Sequence, residues 1–265
     1  MTLFKIIPLF FFRKIIFLLK KILYFKKNEY RHDKTQINNY HQLIKKNGFH
    51  IIENFLDKKN CDLIIDELDR FHDSNRKMSW HDEFNCEYRL FGAEKINKKV
   101  FSFFSDPLLF DIGSKCFGGV LSNLMTMANR IEYKINNEGS GSGWHRDDIN
   151  FQFKAILYLN DVNIHNGPFQ LIQKSNNFFN CIRDSKDTNF NLLNTRIGNS
   201  SVELLDKKRL KTIIGKAGTL ILVDTSLIHR GKPLSEGFRY ALTNYYYPHY
   251  QIKSMKNNFL PKIKN

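Results

Sequence analysis

Gly141-Ser142-Gly143-Trp144-His145-Arg146-Asp147 is the stretch whose reading decides the fold of this chain. A Gly/Ser/Asn loop from Asn136 to Gly143 delivers the backbone to a strand-like run carrying a His and an Asp one residue apart. On a strand, residues i and i+2 point the same way, so His145 and Asp147 share one face and Arg146 takes the other. A second His, His229, closes the run Ser226–Arg230, 84 positions on, and Arg239 follows ten residues later on a third run. Two imidazoles and one carboxylate fill one face of an octahedral iron and leave the other face open. His229 has to arrive from a different strand, which a barrel allows. A lone His-x-Asp is a weak signal in a chain with nine His. His81-Asp82-Glu83 repeats the pattern earlier. It precedes the strand-rich region and lacks a distal partner, so it reads as surface or substrate-side.

Outward from that stretch, the chain changes character near residue 125. Before it, residues 28–36 are a polar linker, and residues 37–47 read as a short helix stopped by Gly48. Phe49–Phe55 alternates as a strand. Asp57 caps a helix with Cys61, Leu63, Ile64, Ile65, Leu68 and Phe71 on its apolar side. Residues 73–97 mix loop and strand, and 98–117 is helical in two pieces around Pro107. After it, 125–135, 151–159, 168–172, 219–223, 226–230 and 239–247 read as strands. Residues 174–214 are polar with little periodicity beyond a short helix near 203–210, which predicts a lid or insertion. Helices first and strands afterwards predict an all-β core with flanking helices (α+β), an antiparallel jelly-roll barrel on a helical buttress. The folded domain is expected over 37–250, with a basic tail over 251–265.

The 265 residues are 42% hydrophobic, enough for a packed core, and carry a formal charge of +15. A surface of that sign favours an anionic membrane, an anionic substrate or nucleic acid. No zinc-finger spacing or recognition helix is present, so no nucleic acid is expected. Cys61, Cys86, Cys116 and Cys181 lie far apart, which fits reduced thiols of a cytoplasmic protein. Residues 1–27 hold Lys5, Arg13, Lys14, Lys20, Lys21, Lys26 and Lys27 without an acid. Their apolar runs are too short to span a bilayer, and no cleavage site follows them. On a helical wheel the cations occupy one half, and Phe12, Ile15, Ile16, Leu18, Leu19 and Ile22 lie on the other. That is the pattern of an interfacial helix, peripheral at the inner face of a membrane. The competing reading is a helix packed on the body or on a partner.

Gly143-Trp144-His145-Arg146-Asp147, Tyr158-Leu159-Asn160-Asp161, Asn166-Gly167-Pro168-Phe169, His229-Arg230-Gly231 and Arg239 together resemble the phytanoyl-CoA dioxygenase family. The opening Asn47-Gly48-Phe49-His50-Ile51-Ile52-Glu53-Asn54-Phe55-Leu56 extends the resemblance, which covers roughly residues 40 to 247. It implies a double-stranded β-helix, the cupin-like form of the jelly roll, and an iron(II)/2-oxoglutarate-dependent oxygenase. His145, Asp147 and His229 would be the iron ligands, and dioxygen the oxidant. Arg239 would hold the distal carboxylate of 2-oxoglutarate. An Arg within an apolar strand needs an anionic partner in any case, here a co-substrate or an internal acid. Lys134 matches a family lysine that helps bind the co-substrate. Tyr158 has the parity to point inward, either to bond the same carboxylate or to pack in the core.

Two departures stand out. Asn176 follows Ser175 where family members often have His, and Gly231 stands where many have Ser. Thr225 and Thr243 are the candidate replacements for that hydroxyl. Asp147 stands where related halogenases carry a small residue, which argues for hydroxylation. Arg89, Arg146 and Asp148 are candidate substrate contacts or structural groups. The implied reaction hydroxylates a small molecule or a lipid-, CoA- or sugar-linked metabolite, with succinate and carbon dioxide as co-products. The rivals are a non-oxidative cupin-like metal-binding isomerase or binding protein, and a membrane-surface protein with a degenerate barrel.

Overall fold

The computed structural model describes residues 3–188 and 190–259. Two sheets face each other. The larger has the order β1-β8-β5-β10-β4-β3-β2 and the smaller β7-β6-β9. In chain order the strands are β1 (Phe49–Ile52), β2 (Trp80–His81), β3 (Glu87–Phe91), β4 (Leu121–Glu132) and β5 (Phe153–Tyr158). They continue as β6 (Phe169–Ile172), β7 (Leu210–Ile213), β8 (Leu220–Asp224), β9 (His229–Gly231) and β10 (Phe238–Pro248). His145 extends the small sheet through an antiparallel bridge to His229. This is the expected jelly roll, a double-stranded β-helix with its helices to one side.

The central strands read as continuous apolar runs because both faces of the large sheet are covered. Ala155 and Leu157 of β5 and Leu220 and Leu222 of β8 face the helices. Ile156, Tyr158, Ile221 and Val223 face the barrel interior, where they meet Phe169 and Leu171 of the small sheet. The buttress consists of α2 (Lys34–Asn47), α3 (Lys58–Ser74), α4 (Lys98–Phe104) and α5 (Pro107–Phe117). Local chemistry sets their ends. Asp33, Asp57 and Asp106 accept hydrogen bonds from first-turn amides. Pro107 opens α5, and Gly48 and Gly118 close α2 and α5 in the left-handed region.

Three stretches differ from the sequence expectation. Helix α2 starts at Lys34 because Asp33 caps it, and the linker before it is tied down, Arg31 and His32 donating their amides to buried Asp111. Residues 174–214 hold α6 (Phe178–Thr188), α7 (Asn199–Glu203) and β7, and the short helix expected near 203–210 is a single 3-10 turn at Lys207–Arg209. The inner side of α6 is Cys181, Asp184, Ser185 and Thr188, a polar face that shows no apolar period. Asp184 is satisfied there by two 2.7 Å bonds from Arg209. The expected tail contains α8 (Ile252–Phe259), while Lys262 and Lys264 lie outside the described residues.

The N-terminal helix α1 (Leu3–Leu23) lies against the body. Ile6 and Phe10 are buried with Ile149, Cys181 and Leu192, and Phe17 packs edge-on against Phe117. Lys14 donates to the Ile149 carbonyl, and Lys21 sits 4.8 Å over the Phe117 ring. Among the described residues, no helix is long and apolar enough to cross a membrane.

Candidate active site

The backbone brings the two histidines together before any side chain acts. His145 N–H donates to the His229 carbonyl at 2.9 Å and His229 N–H to that of His145 at 2.7 Å, while Asp147 N–H reaches the Thr225 carbonyl. His145 makes two isolated bridges, to His229 and to Arg196, so the expected strand is one bridged residue with an extended tail, yet the alternation holds. His145, Asp147 and His229 each aim one ligand atom into a common space, all within 4.8 Å of one another. Nδ1 of His145 donates to the Gly143 carbonyl and Nδ1 of His229 to that of Leu227. A carbonyl only accepts, so both Nδ1 atoms carry the proton and both Nε2 lone pairs are free for a metal. The loop before His145 needs its glycines. A Cβ on Gly139, at φ +76°, would lie 2.2 Å from the Gly231 carbonyl, and one on Gly141 would lie 2.4 Å from the His145 ring.

Burial, then the neighbouring His229, lowers His145 to about 3 and keeps it neutral near pH 7. Burial also lowers His229. Burial alone would raise Asp147, but Lys154 and the two imidazoles outweigh it and hold the carboxylate well below its usual range. Lys154 Nζ lies 2.8 Å from Asp147 Oδ2, which accepts no well-aligned hydrogen bond. Two neutral imidazoles and an anionic oxygen fit a divalent first-row metal.

Above the cluster opens a cavity of about 190 Å³. Arg239 lines it and is 5% exposed. Its guanidinium donates to the Gly167 carbonyl, and Nε has no partner among the described residues. The nearby Glu87 carboxylate is already shared by Arg89, Asn129 and Ser140. An arginine so placed fits a carboxylate ligand.

The other predicted residues divide. Thr225, Thr243 and Arg89 line the cavity, Arg89 beneath the Trp80 ring. Tyr158 lines it too, but its hydroxyl is engaged by the opposite sheet, donating to the Ile213 carbonyl and accepting from Phe169 N–H. Lys134 is not brought there; it donates to the Asn85 carbonyl and pairs with Glu132. Arg146 points away from the three candidate ligands, buried over Phe190 beside Cys181. Asp148 is exposed and accepts from Asn150 N–H. His81 packs at a tilt beside His72 and bonds Ser79. Gly231 has a steric reason, since Ser140 comes to 3.0 Å of where its Cβ would stand. Asn176 holds Asp224 and Ser226. The sequence reading missed Lys154, 8% exposed and 4.1 Å over the Tyr245 ring. The signal was present: like Arg239, it is a cation at inward parity in an apolar strand.

The family model described as Phytanoyl-CoA dioxygenase (PhyH) matches residues 44–241. No curated protein matches the chain. Solved structures of the same fold include SnoN, a non-heme alpha ketoglutarate dependent epimerase from nogalamycin biosynthesis. It has a TM-score of 0.61 at 12% identity, over 82% of this chain and 84% of that one. HygX from Streptomyces hygroscopicus, with nickel and 2-oxoglutarate bound, has a TM-score of 0.58 at 16% identity, over 80% and 87%. SnoK, a carbocyclase from nogalamycin biosynthesis, has a TM-score of 0.57 at 12% identity, over 82% and 85%.

Proposed function

Because the chain belongs to the phytanoyl-CoA dioxygenase family, we propose that it is an iron(II)- and 2-oxoglutarate-dependent dioxygenase that hydroxylates an anionic small molecule. The observation that carries the reading is the His145–Asp147–His229 donor set beneath a cavity whose wall holds the buried Arg239 without a paired carboxylate. The likeness to HygX holding nickel and 2-oxoglutarate, and to SnoN holding Fe3+ and alpha ketoglutarate, supports these cofactors.

His145, Asp147 and His229 would hold the metal through Nε2, a carboxylate oxygen and Nε2. Iron bound there would supply dioxygen activation coupled to oxidative decarboxylation of 2-oxoglutarate to succinate. Arg239 anchors the distal carboxylate of that co-substrate by a charge-assisted bond in a dry wall. Met127, Ile156, Phe169 and Ala241 are the apolar part of the lining and would limit water near the reacting carbon. Of the cations in the cavity wall, Arg89 is paired with Glu87, Lys154 with Asp147, and Arg239 is assigned to the co-substrate; the exposed Arg196 at the wall favours a substrate with an acidic group, such as a lipid-, CoA- or sugar-linked metabolite.

The experiment is anaerobic reconstitution with iron(II) and 2-oxoglutarate, then oxygen and fractionated metabolites, with succinate and products followed by mass. A product heavier by one oxygen is expected. A product of unchanged mass, or one lighter by two hydrogens, would make the outcome epimerisation or ring closure, the reactions named for SnoN and SnoK. Turnover without succinate or oxygen uptake would favour the non-oxidative isomerase.

A further inference from the structure

Helix α1 meets the body through a stripe of its own. Ile6, Phe10, Lys14, Phe17 and Lys21 face inward, spaced by three or four residues along one side. The apolar arc on the opposite side stays uncovered. Phe12, Leu19, Ile22 and Leu23 are 57–75% exposed, and Phe25 just beyond the helix is 62% exposed. Contiguous exposed apolar surface of this kind marks an interaction site. Arg13 and Lys20 flank the arc, Lys26 and Lys27 follow it, and all four are exposed. No acid precedes Glu29. Tyr24 stacks on Tyr250 at 5.0 Å, which sets the end of α1 beside α8 and its exposed Lys253 and Lys256.

We propose that the outward face of α1 is a docking surface for an anionic lipid membrane. Large apolar side chains framed by cations and free of acids match an acyl boundary beneath anionic headgroups. A helix of this composition floating free would be an ordinary interfacial anchor. Here its inward stripe is already spent on Ile149, Cys181 and Phe117. The membrane-facing side is therefore fixed relative to the segment carrying His145 and Asp147, and the body docks in one orientation. This inference does not rest on the reaction proposed above.

The test is co-sedimentation of the full chain with vesicles of neutral phosphatidylcholine, and with vesicles containing anionic phosphatidylglycerol. Wild-type protein is expected to pellet with the anionic vesicles and to be released by salt. The triple variant Phe12→Ser/Leu19→Ser/Leu23→Ser is expected to lose binding by about tenfold or more, because each exposed side chain contributes burial in the interface. Its melting temperature is expected to stay within error of wild type. Arg13→Ser/Lys20→Ser is expected to weaken binding to anionic vesicles alone, by about tenfold. Wild-type protein left in the supernatant overturns the proposal. So does equal binding to neutral vesicles, or a stable dimer that the triple variant converts to monomer.

Discussion

Asp147 has two cationic claims on it, the metal site it shares with the histidines and the Lys154 ammonium 2.8 Å away. Replacing Asp147 by Ala removes the anionic ligand, and loss of iron-dependent 2-oxoglutarate binding is expected in anaerobic titration. Lys154→Met leaves the carboxylate in the barrel without its ion partner. A cost of about 3 kcal/mol is expected in urea unfolding of the metal-free protein, because an uncompensated buried charge is expensive. Added divalent metal should recover part of it. Arg239→Gln removes a charge-assisted contact, and the dissociation constant for 2-oxoglutarate should rise about 10- to 100-fold while metal binding persists. The residues themselves were unequally legible. His145, Asp147, His229 and Arg239 stood out as polar groups at inward parity in apolar strands. Lys154 has the same signature, but its partner Asp147 is seven positions away across a loop, and nothing local says that the two meet.

The two sheets of the barrel are joined by a polar contact as well as by the apolar core. Tyr158 on β5 reaches across to Ile213 on β7 and Phe169 on β6. Tyr158→Phe keeps the ring and orphans a buried N–H and a buried carbonyl. A loss of about 1–3 kcal/mol is expected on unfolding, with 2-oxoglutarate affinity little changed. A steep loss of that affinity would instead show that the hydroxyl also binds the co-substrate. Strands β4, β5, β8 and β10 were legible as largely continuous apolar runs, and helices α3 to α5 because their apolar faces follow the helical period and their caps are local. Helix α6 and strand β7 were not. The inner face of α6 is polar and satisfied by Arg209, and β7 is an edge strand with Leu210 exposed. In both, tertiary partners supply what an apolar period would otherwise advertise.

At the scale of the whole molecule, α1 is part of the fold as well as an appendage to it. Removing residues 1–27 uncovers Ile149, Cys181 and Leu192 and forfeits the burial of Ile6 and Phe10. A loss on the order of 4 kcal/mol is expected from two large apolar side chains. That corresponds to a melting temperature roughly 10 °C lower by differential scanning fluorimetry. Unchanged melting would mean that the helix is only loosely held. The sequence by itself determined the barrel class, the candidate metal-ligand set and the cationic, acid-free character of the N-terminus. Strand parity, helix caps and charge are properties of residues and their near neighbours. Only the tertiary structure decided which side of α1 meets the body, that Lys134 and Arg146 stay clear of the metal cluster while Lys154 enters it, and that the Tyr158 hydroxyl is spent on the opposite sheet. Each depends on which surfaces compete for burial once the chain is closed, and a helical wheel or a strand parity assigns a side without saying what will cover it.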